Sequence, residues 1–212
     1  MDPVEAELAK KSLDIIMDFA RRIGGPAADE VGIHLGDRFR AWRIVNAYNI
    51  FEKTKRKLEE AGLPPNTLPP RLFLPFMEAA SAEDEPSLQD MWAALLATAM
   101  LSPDEVPQSF IETLKQLTPE EARYIDKIYG HRTDPNNPHR LPIDTQLDGL
   151  FTERGGAPKT VSAETYERLG IISREWGLTK EGGETVVGSF LRFTKYGKAF
   201  LEACRGPEKT GK

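Results

Sequence analysis

The segment 169–206 constrains the fold of this chain more than any other stretch. It reads LGIISREWGLTKEGGETVVGSFLRFTKYGKAFLEACRG. Residues 171–178 and 188–193 are rich in apolar and aromatic side chains, which favours strands, and Gly182–Gly183 between them favours a tight turn. Thr194 can then cap a last amphipathic helix. The segment therefore predicts the end of one helix, a β-hairpin and a closing helix.

The stretch before this hairpin completes a small α/β pattern. Thr118 can cap a helix, Pro119 fits the first helical position, and Glu121 can reach back to form a capping box. The next predicted elements are one short strand and two short helices, at 141–143, 144–153 and 162–169. The order of elements from 118 to 206 predicts a winged-helix-like domain.

Everything upstream of Thr118 is predicted to be helical. The apolar spacing and the Gly and Pro stops predict helices over 3–22, 37–61, 71–80, about 86–101 and 106–117. Ser81 or Asp84 can cap the fourth of these helices, and Trp92 belongs to its wide apolar face, which is typical of a core helix. The fold class is therefore mainly α, with a helical N-terminal domain followed by a small winged-helix-like α/β domain.

The domain organisation follows from this pattern. Residues 1–117 are predicted to form the helical domain, within which 1–35 could be a loosely attached N-terminal arm. Residues 118–206 form the winged-helix-like domain, and 207–212, which are polar, form a disordered tail.

Composition limits the classes of function. The chain has 212 residues and a formal net charge of −5, which argues against nonspecific binding of nucleic acid through bulk charge. Cys204 is the single cysteine, so no internal disulfide framework can form, as expected in the reducing cytoplasm. No apolar run approaches the roughly 18 residues of a membrane span, and the acidic start is unlike a secretory signal. We therefore expect a cytoplasmic protein with no transmembrane segment.

Three stretches of the chain resemble a known bacterial family. They are GDRFRAWRIVNAYNIFEKTKRKLEEAG, LFLPFMEAASAEDEPSLQDMWAALLATAM and PQSFIETLKQLTPEEARYIDKIY, and the ending LGII…LRFTKYGKAFLEAC fits the same pattern. Over about residues 30–206 the chain resembles the abortive-infection alpha (Abi-alpha) family. The resemblance implies a role in protecting bacteria against phage, and it brings no catalytic residues with it.

The helix predicted at 37–61 carries a cluster of basic residues, with seven basic side chains against four acidic ones. The basic members are Arg38, Arg40, Arg43, Lys53, Lys55, Arg56 and Lys57. This cluster is either a surface for nucleic acid, an anionic membrane or an acidic partner, or a solvated face opposite a core stripe. We favour the solvated face.

Aromatic residues interleave with the basic cluster. Phe39, Trp42, Val45, Tyr48, Phe51 and Leu58 lie near one stripe. Trp42, Tyr48 and Phe51 could stack on bases. Long amphipathic helices with aromatic stripes also pair, so we predict a homo-oligomer through residues 37–61 with these three aromatics near the contact.

The predicted winged helix is balanced in charge, with 13 basic and 13 acidic residues over 118–206. Its candidate recognition helix carries Glu164 and Glu167 against Arg168, and acids facing phosphates are repulsive. Further basic residues could still place charge on the wing side: Arg174, Lys180, Arg192, Lys195 and Lys198. We favour a winged helix that binds protein, or is purely structural, over one that reads DNA.

No catalytic, metal or cofactor motif stands out. His131 and His139 flank Asp134 in one predicted loop, but zinc sites use four ligands at tighter spacing. Cys204 has no histidine base nearby in the sequence. The resemblance to the Abi-alpha family implies phage defence, and without such a motif we predict that the protein binds a host or phage protein and is not an enzyme. The alternatives are a DNA-binding transcription regulator and a concealed nuclease or other toxic enzyme.

Overall fold

The described part of the chain is mainly helical and includes a small antiparallel sheet. The computed structural model describes residues 14, 18, 21, 41–62, 64–130, 140–142, 163–181 and 184–207. Within these ranges there are seven helices and three strands. The predicted helix at 3–22 is described only at Asp14, Asp18 and Arg21, which are helical and exposed. In these same ranges, no helix combines the length and the apolar character needed to cross a bilayer.

The residues group into two compact units. One comprises Met1–Gln116 with Ala203–Lys212, and the other comprises Leu117–Glu202. The assignment of 1–117 and 118–206 as separate domains stays a prediction, and most of the predicted disordered tail at 207–212 lies outside the described residues.

Between residues 41 and 116, the described part of the first unit contains four helices. They are α1 (Ala41–Ala61), α2 (Pro70–Ala80), α3 (Pro86–Leu101) and α4 (Gln108–Lys115). Ten of the 16 residues of α3 are buried, so α3 is the central helix, as predicted. Trp92 is only 2% exposed, and its ring meets that of Phe76 edge to face at a centroid distance of 5.3 Å.

Two sequence predictions in this unit are wrong. The N-cap of α3 is Glu85, not Ser81 or Asp84, and the backbone N–H of Glu85 donates instead to a Glu83 carboxylate oxygen at 2.9 Å. The buried face of α1 also differs from the predicted aromatic stripe. It runs along Ala47, Ile50, Phe51, Thr54 and Leu58, while Trp42 is 44% exposed.

The second unit begins with α5 (Pro119–Gly130). The predicted capping box is confirmed: the backbone N–H of Thr118 donates to Glu121 Oε2 at 2.9 Å, and the N–H of Glu121 donates to Thr118 Oγ1 at 3.2 Å. Helix α6 (Ala163–Arg168) follows later in the chain, and the buried Tyr166 ties it to α5 by donating to the Glu121 carbonyl at 2.9 Å.

The sheet of this unit has the spatial order β1-β3-β2 and is antiparallel throughout. Strand β1 is Arg140–Pro142, β2 is Ile172–Glu181 and β3 is Glu184–Phe193. Both hairpin strands are longer than predicted, since β2 continues past Leu178 and β3 begins before Gly188. The predicted helix at 144–153 lies outside the described residues.

The closing helix α7 (Lys195–Arg205) is positioned by Thr194. The Thr194 hydroxyl accepts a hydrogen bond from the N–H of Gly197 at 2.8 Å, which confirms the predicted cap. The Thr194 N–H also donates to the Ile171 carbonyl at 3.1 Å, so the start of α7 is fixed beside the start of the hairpin. Phe193, Phe200 and Leu201 are buried in this region.

Candidate binding surfaces

Helix α1 uses two members of the predicted basic cluster within its own unit. Arg43 donates from Nη2 to the Glu78 carbonyl at 2.9 Å. Lys53 Nζ donates to the Pro86 carbonyl at 2.9 Å and lies 2.9 Å from Asp90 Oδ1, and its side chain is only 19% exposed. A lysine held in this way tethers α1 to the first turn of α3, so Lys53 has a structural role.

The rest of the basic cluster is dispersed among acids. Lys55 is exposed and lies 3.9 Å from Glu59, a spacing that favours a weak surface pair. Arg56 is exposed, Lys57 is half-buried and Glu60 is exposed on the same segment. Arg38 and Arg40 lie outside the described residues. In its described part, α1 therefore presents a mixed face and no continuous basic surface.

The three aromatic residues of α1 point in different directions. Phe51 is 4% exposed and belongs to the core of its unit, and the oligomer contact through residues 37–61 stays a prediction. Tyr48 is half-buried. Trp42 is exposed and lies beside Arg43, whose guanidinium carbon is 6.0 Å from the indole centroid, at the outer limit of a cation–π contact.

The two arginines predicted on the wing side are engaged in ion pairs close to the hairpin. Arg174 Nη2 lies 3.3 Å from Glu167 Oε2, which links β2 to α6. Arg192 Nη1 lies 3.4 Å from Glu175 Oε1 across the two hairpin strands. Lys195 is exposed at the start of α7. Each of the two arginines thus has a carboxylate neighbour, as partly exposed surface pairs do.

Trp176 is the most exposed large apolar residue that the structure describes, at 72%. It lies on β2 opposite Ser189, on the same face as Ile172 and Arg174 because strand side chains alternate. The buried side chains on this face are Ile172, Leu191 and Phe193, and the core ends before Trp176 is reached. The sequence reasoning missed this residue, because a tryptophan on the parity of Ile172 would be expected to face inward.

The shifted pKa values belong to groups with structural roles. Burial raises the pKa of Tyr124 to about 12. Burial also raises the pKa of Tyr166, with smaller contributions from Glu121 and Tyr124. The pKa of Glu83 is raised mainly by burial, and its hydrogen bond from the Glu85 N–H opposes the shift. These groups lie at helix contacts and helix starts.

The sequence analysis considered a metal site and a reactive cysteine and predicted neither. Within the described ranges, no three side chains among His, Cys, Asp and Glu come together as metal ligands would. His131, Asp134 and His139 lie outside these ranges. Cys204 is buried and is not part of a disulfide.

The fold and surfaces together define a mainly helical protein with a three-stranded sheet and an exposed hairpin tryptophan. Comparison with known families agrees with the resemblance noted in the sequence. The family model described as abortive infection alpha matches residues 45–204, and the chain belongs to this family. Membership links it to abortive infection, a bacterial defence against phage. No curated protein and no solved structure matches the chain.

Proposed function

We propose that this chain acts in abortive infection by binding a protein, a host or phage component, and not by catalysis. The surface that we assign to this role is the hairpin surface, defined as Trp176 with the neighbouring residues of β2 and β3. We also propose that the protein acts in the cytoplasm, because a single buried cysteine suits a reducing compartment.

The observation that carries the proposal is the exposure of Trp176, whose side chain lies on the same strand face as Arg174. An exposed tryptophan is costly to leave in water and is enriched among residues that dominate protein interfaces. Polyanion binding needs free cationic groups. Here Arg174 already has a carboxylate partner at 3.3 Å, and Arg192, on the opposite face of the hairpin, has one at 3.4 Å. The surroundings of Trp176 therefore suit a protein surface more than a polyanion.

The arrangement of the second unit supports a winged-helix-like role for the hairpin. A helix, a short strand, a further helix and a long hairpin follow one another, and the strand order is β1-β3-β2. In this interpretation α6 corresponds to the recognition helix and the β2–β3 hairpin to the wing. The exposed Glu164 on α6 favours a protein partner over a phosphate backbone.

The runner-up function is a transcription regulator that reads DNA through the same unit. The exposed Lys195 beside the hairpin is the observation that favours it. Under this alternative, Lys195 would contact phosphate, and affinity for duplex DNA would fall steeply with salt.

A phage challenge tests the proposal. Cells producing the wild-type chain are compared with cells producing Trp176→Ser, and the efficiency of plating of a phage that the wild type blocks is measured. We expect Trp176→Ser to abolish protection at an unchanged cellular level, because the side chain is exposed and its loss leaves the fold intact. Full protection by Trp176→Ser would contradict the proposal.

Two matched variants control this challenge. Trp42→Ser removes the exposed tryptophan of α1, and the double variant Lys55→Ala/Arg56→Ala removes exposed charge without breaking the Lys53–Asp90 pair. Both should protect as the wild type does. Loss of protection in Trp42→Ser alone would move the binding surface to α1 and favour the proposed oligomer through residues 37–61.

Fluorescence anisotropy of labelled duplex DNA with the full chain separates the two candidate functions. We expect weak binding that Lys195→Ala leaves unchanged. Tight binding at physiological salt that Lys195→Ala weakens would favour the regulator.

A further inference from the structure

Strand β2 lies at the edge of the sheet. In the order β1-β3-β2, strand β3 is paired on both sides near its end, through residues 190–192, while β2 pairs with β3 alone. Among the described residues, no strand pairs with the outer edge of β2, which is ten residues long. A long unpaired edge is a template for pairing with another chain.

The hairpin register shows which backbone groups point outward from this edge. Glu181 pairs with Glu184 across a two-residue connection, and the register continues unbroken to Ile172 opposite Phe193. The pair that flanks a two-residue loop exchanges both of its hydrogen bonds, and the bonding then alternates along the strand. Odd-numbered residues of β2 therefore bond to β3, and even-numbered residues, including Trp176, direct their N–H and C=O groups outward.

We propose that a second copy of this chain covers the hairpin surface, with the two β2 strands paired antiparallel about a two-fold axis at Trp176. This inference rests on the proposed function. It identifies the protein that occupies the hairpin surface as a second copy of the chain. A two-fold contact is self-complementary. If residue i of one copy faces residue j of the other, then residue j of the first copy faces residue i of the second.

The charged residues of β2 exclude most positions of the two-fold axis. If the axis lay at Arg174 or Glu175, that residue would face its own copy and oppose a like charge. An axis at Gly177 would place Arg174 opposite Lys180, and an axis at Leu178 would place Glu175 opposite Glu181. Like charges directly opposite each other destabilise a strand pair. Within 174–178, only the axis at Trp176 opposes no like charges.

The selected register also gives favourable neighbours. The two Trp176 positions face each other, and aromatic pairs are among the more stabilising cross-strand pairs. Arg174 lies opposite Leu178, and Glu175 lies opposite Gly177, which leaves room for the larger side chain. The outward backbone groups of Trp176 pair with those of its copy, so the exposed tryptophan and the open edge are covered together.

Sedimentation velocity of the full chain across the micromolar range tests this assembly. We expect a concentration-dependent dimer in the wild type, a monomer in Trp176→Lys, and a dimer in Trp42→Lys, which changes the exposed tryptophan of α1. A cooperative thermal transition and the same far-UV circular dichroism in all three proteins would show that all are folded. A wild type that stays monomeric, or a dimer that Trp42→Lys alone dissociates, would overturn the proposal.

A second pair of variants tests the register by the sign of one charge. Leu178→Lys places a cation opposite Arg174 twice, once on each side of the axis. The dissociation constant of the dimer should therefore rise about tenfold. Leu178→Glu places an anion opposite Arg174 and should keep or strengthen it. Equal effects of the two substitutions would overturn the Trp176-centred register. A monomeric wild type whose protection still requires Trp176 would refute the dimer and leave the proposed function standing.

Discussion

At Gly197, two backbone segments of the second unit approach each other closely. A Cβ built at this position would lie 2.0 Å from the carbonyl oxygen of Ile171. The obstacle is backbone, so no rotamer change can relieve it. Sequence reasoning could not detect this approach, because a glycine inside an amphipathic helix signals only a weaker helix former.

We predict that Gly197→Ala destabilises the protein by about 3 kcal/mol, the upper range of overpacking costs, although alanine is the better helix former. Chemical denaturation would measure the change in the free energy of unfolding. Gly62→Ala is the matched control. Gly62 has a φ of +68° and nothing within 4 Å of an added Cβ, so only backbone strain of about 1 kcal/mol is expected. A stabilised Gly197→Ala protein would refute the close approach.

Trp92 is predicted to be the residue whose truncation most weakens the first unit. Trp92→Ala removes a ring that is 2% exposed and contacts Phe76, which should cost about 3–5 kcal/mol. Leu74→Ala, at a side chain that is 43% exposed, should change stability by no more than about 0.5 kcal/mol. Thermal or denaturant unfolding would compare them, and similar losses in both variants would argue against α3 as the core helix.

Tyr124 gives the protein a predicted alkaline sensitivity. Its folded pKa of about 12 lies above the ordinary value of 10.0, because burial disfavours the phenolate. The corresponding stability is complete below pH 10 and is lost as the pH rises toward 12. Tyr124→Phe should therefore show a smaller fall in denaturation midpoint over this interval. An unchanged pH dependence in Tyr124→Phe would show that Tyr124 does not cause the loss.

At the scale of elements, two helix starts with a capping motif were predictable, those of α5 and α7, whereas the cap of α3 was not. Thr118, Pro119 and Glu121 specify their capping box through local spacing, and the structure contains both of its hydrogen bonds. Thr194 caps α7 in the same local way. Such motifs need only three or four adjacent residues, so a sequence can specify them fully.

We predict that Thr118→Ala lowers stability by about 1 kcal/mol, because it removes the acceptor for the Glu121 N–H. Thr118→Ser keeps a hydroxyl and is the control, with a loss of only a fraction of that amount. Equilibrium denaturation of the two variants would resolve the difference. Equal losses would mean that the methyl group, and not the capping hydroxyl, stabilises the start of α5.

The hairpin and α1 were less predictable for different reasons. Gly177 and Gly188 suggest strand ends when read singly, but they are cross-strand partners in the middle of the hairpin. Lys53 belongs to a basic run in the sequence, and its partner Asp90 is 37 positions away. Pairings at such separation depend on tertiary packing, which local patterns do not encode.

At the scale of the whole molecule, the family match is not confined to one part of the fold. The match over 45–204 includes residues of both compact units. The mainly helical character was predictable from apolar periodicity. The hairpin surface was not, because its exposure depends on where the core of the second unit ends beneath β2.

The central claim is that the hairpin surface binds protein. The most direct measurement is photocrosslinking in phage-infected cells, with a photoreactive phenylalanine analogue replacing Trp176, and the same analogue at Trp42 as the control. We predict a protease-sensitive, nuclease-resistant adduct at position 176, with the mass of two copies of the chain, and none at position 42. A nuclease-sensitive adduct at 176, or no adduct there, would contradict the account.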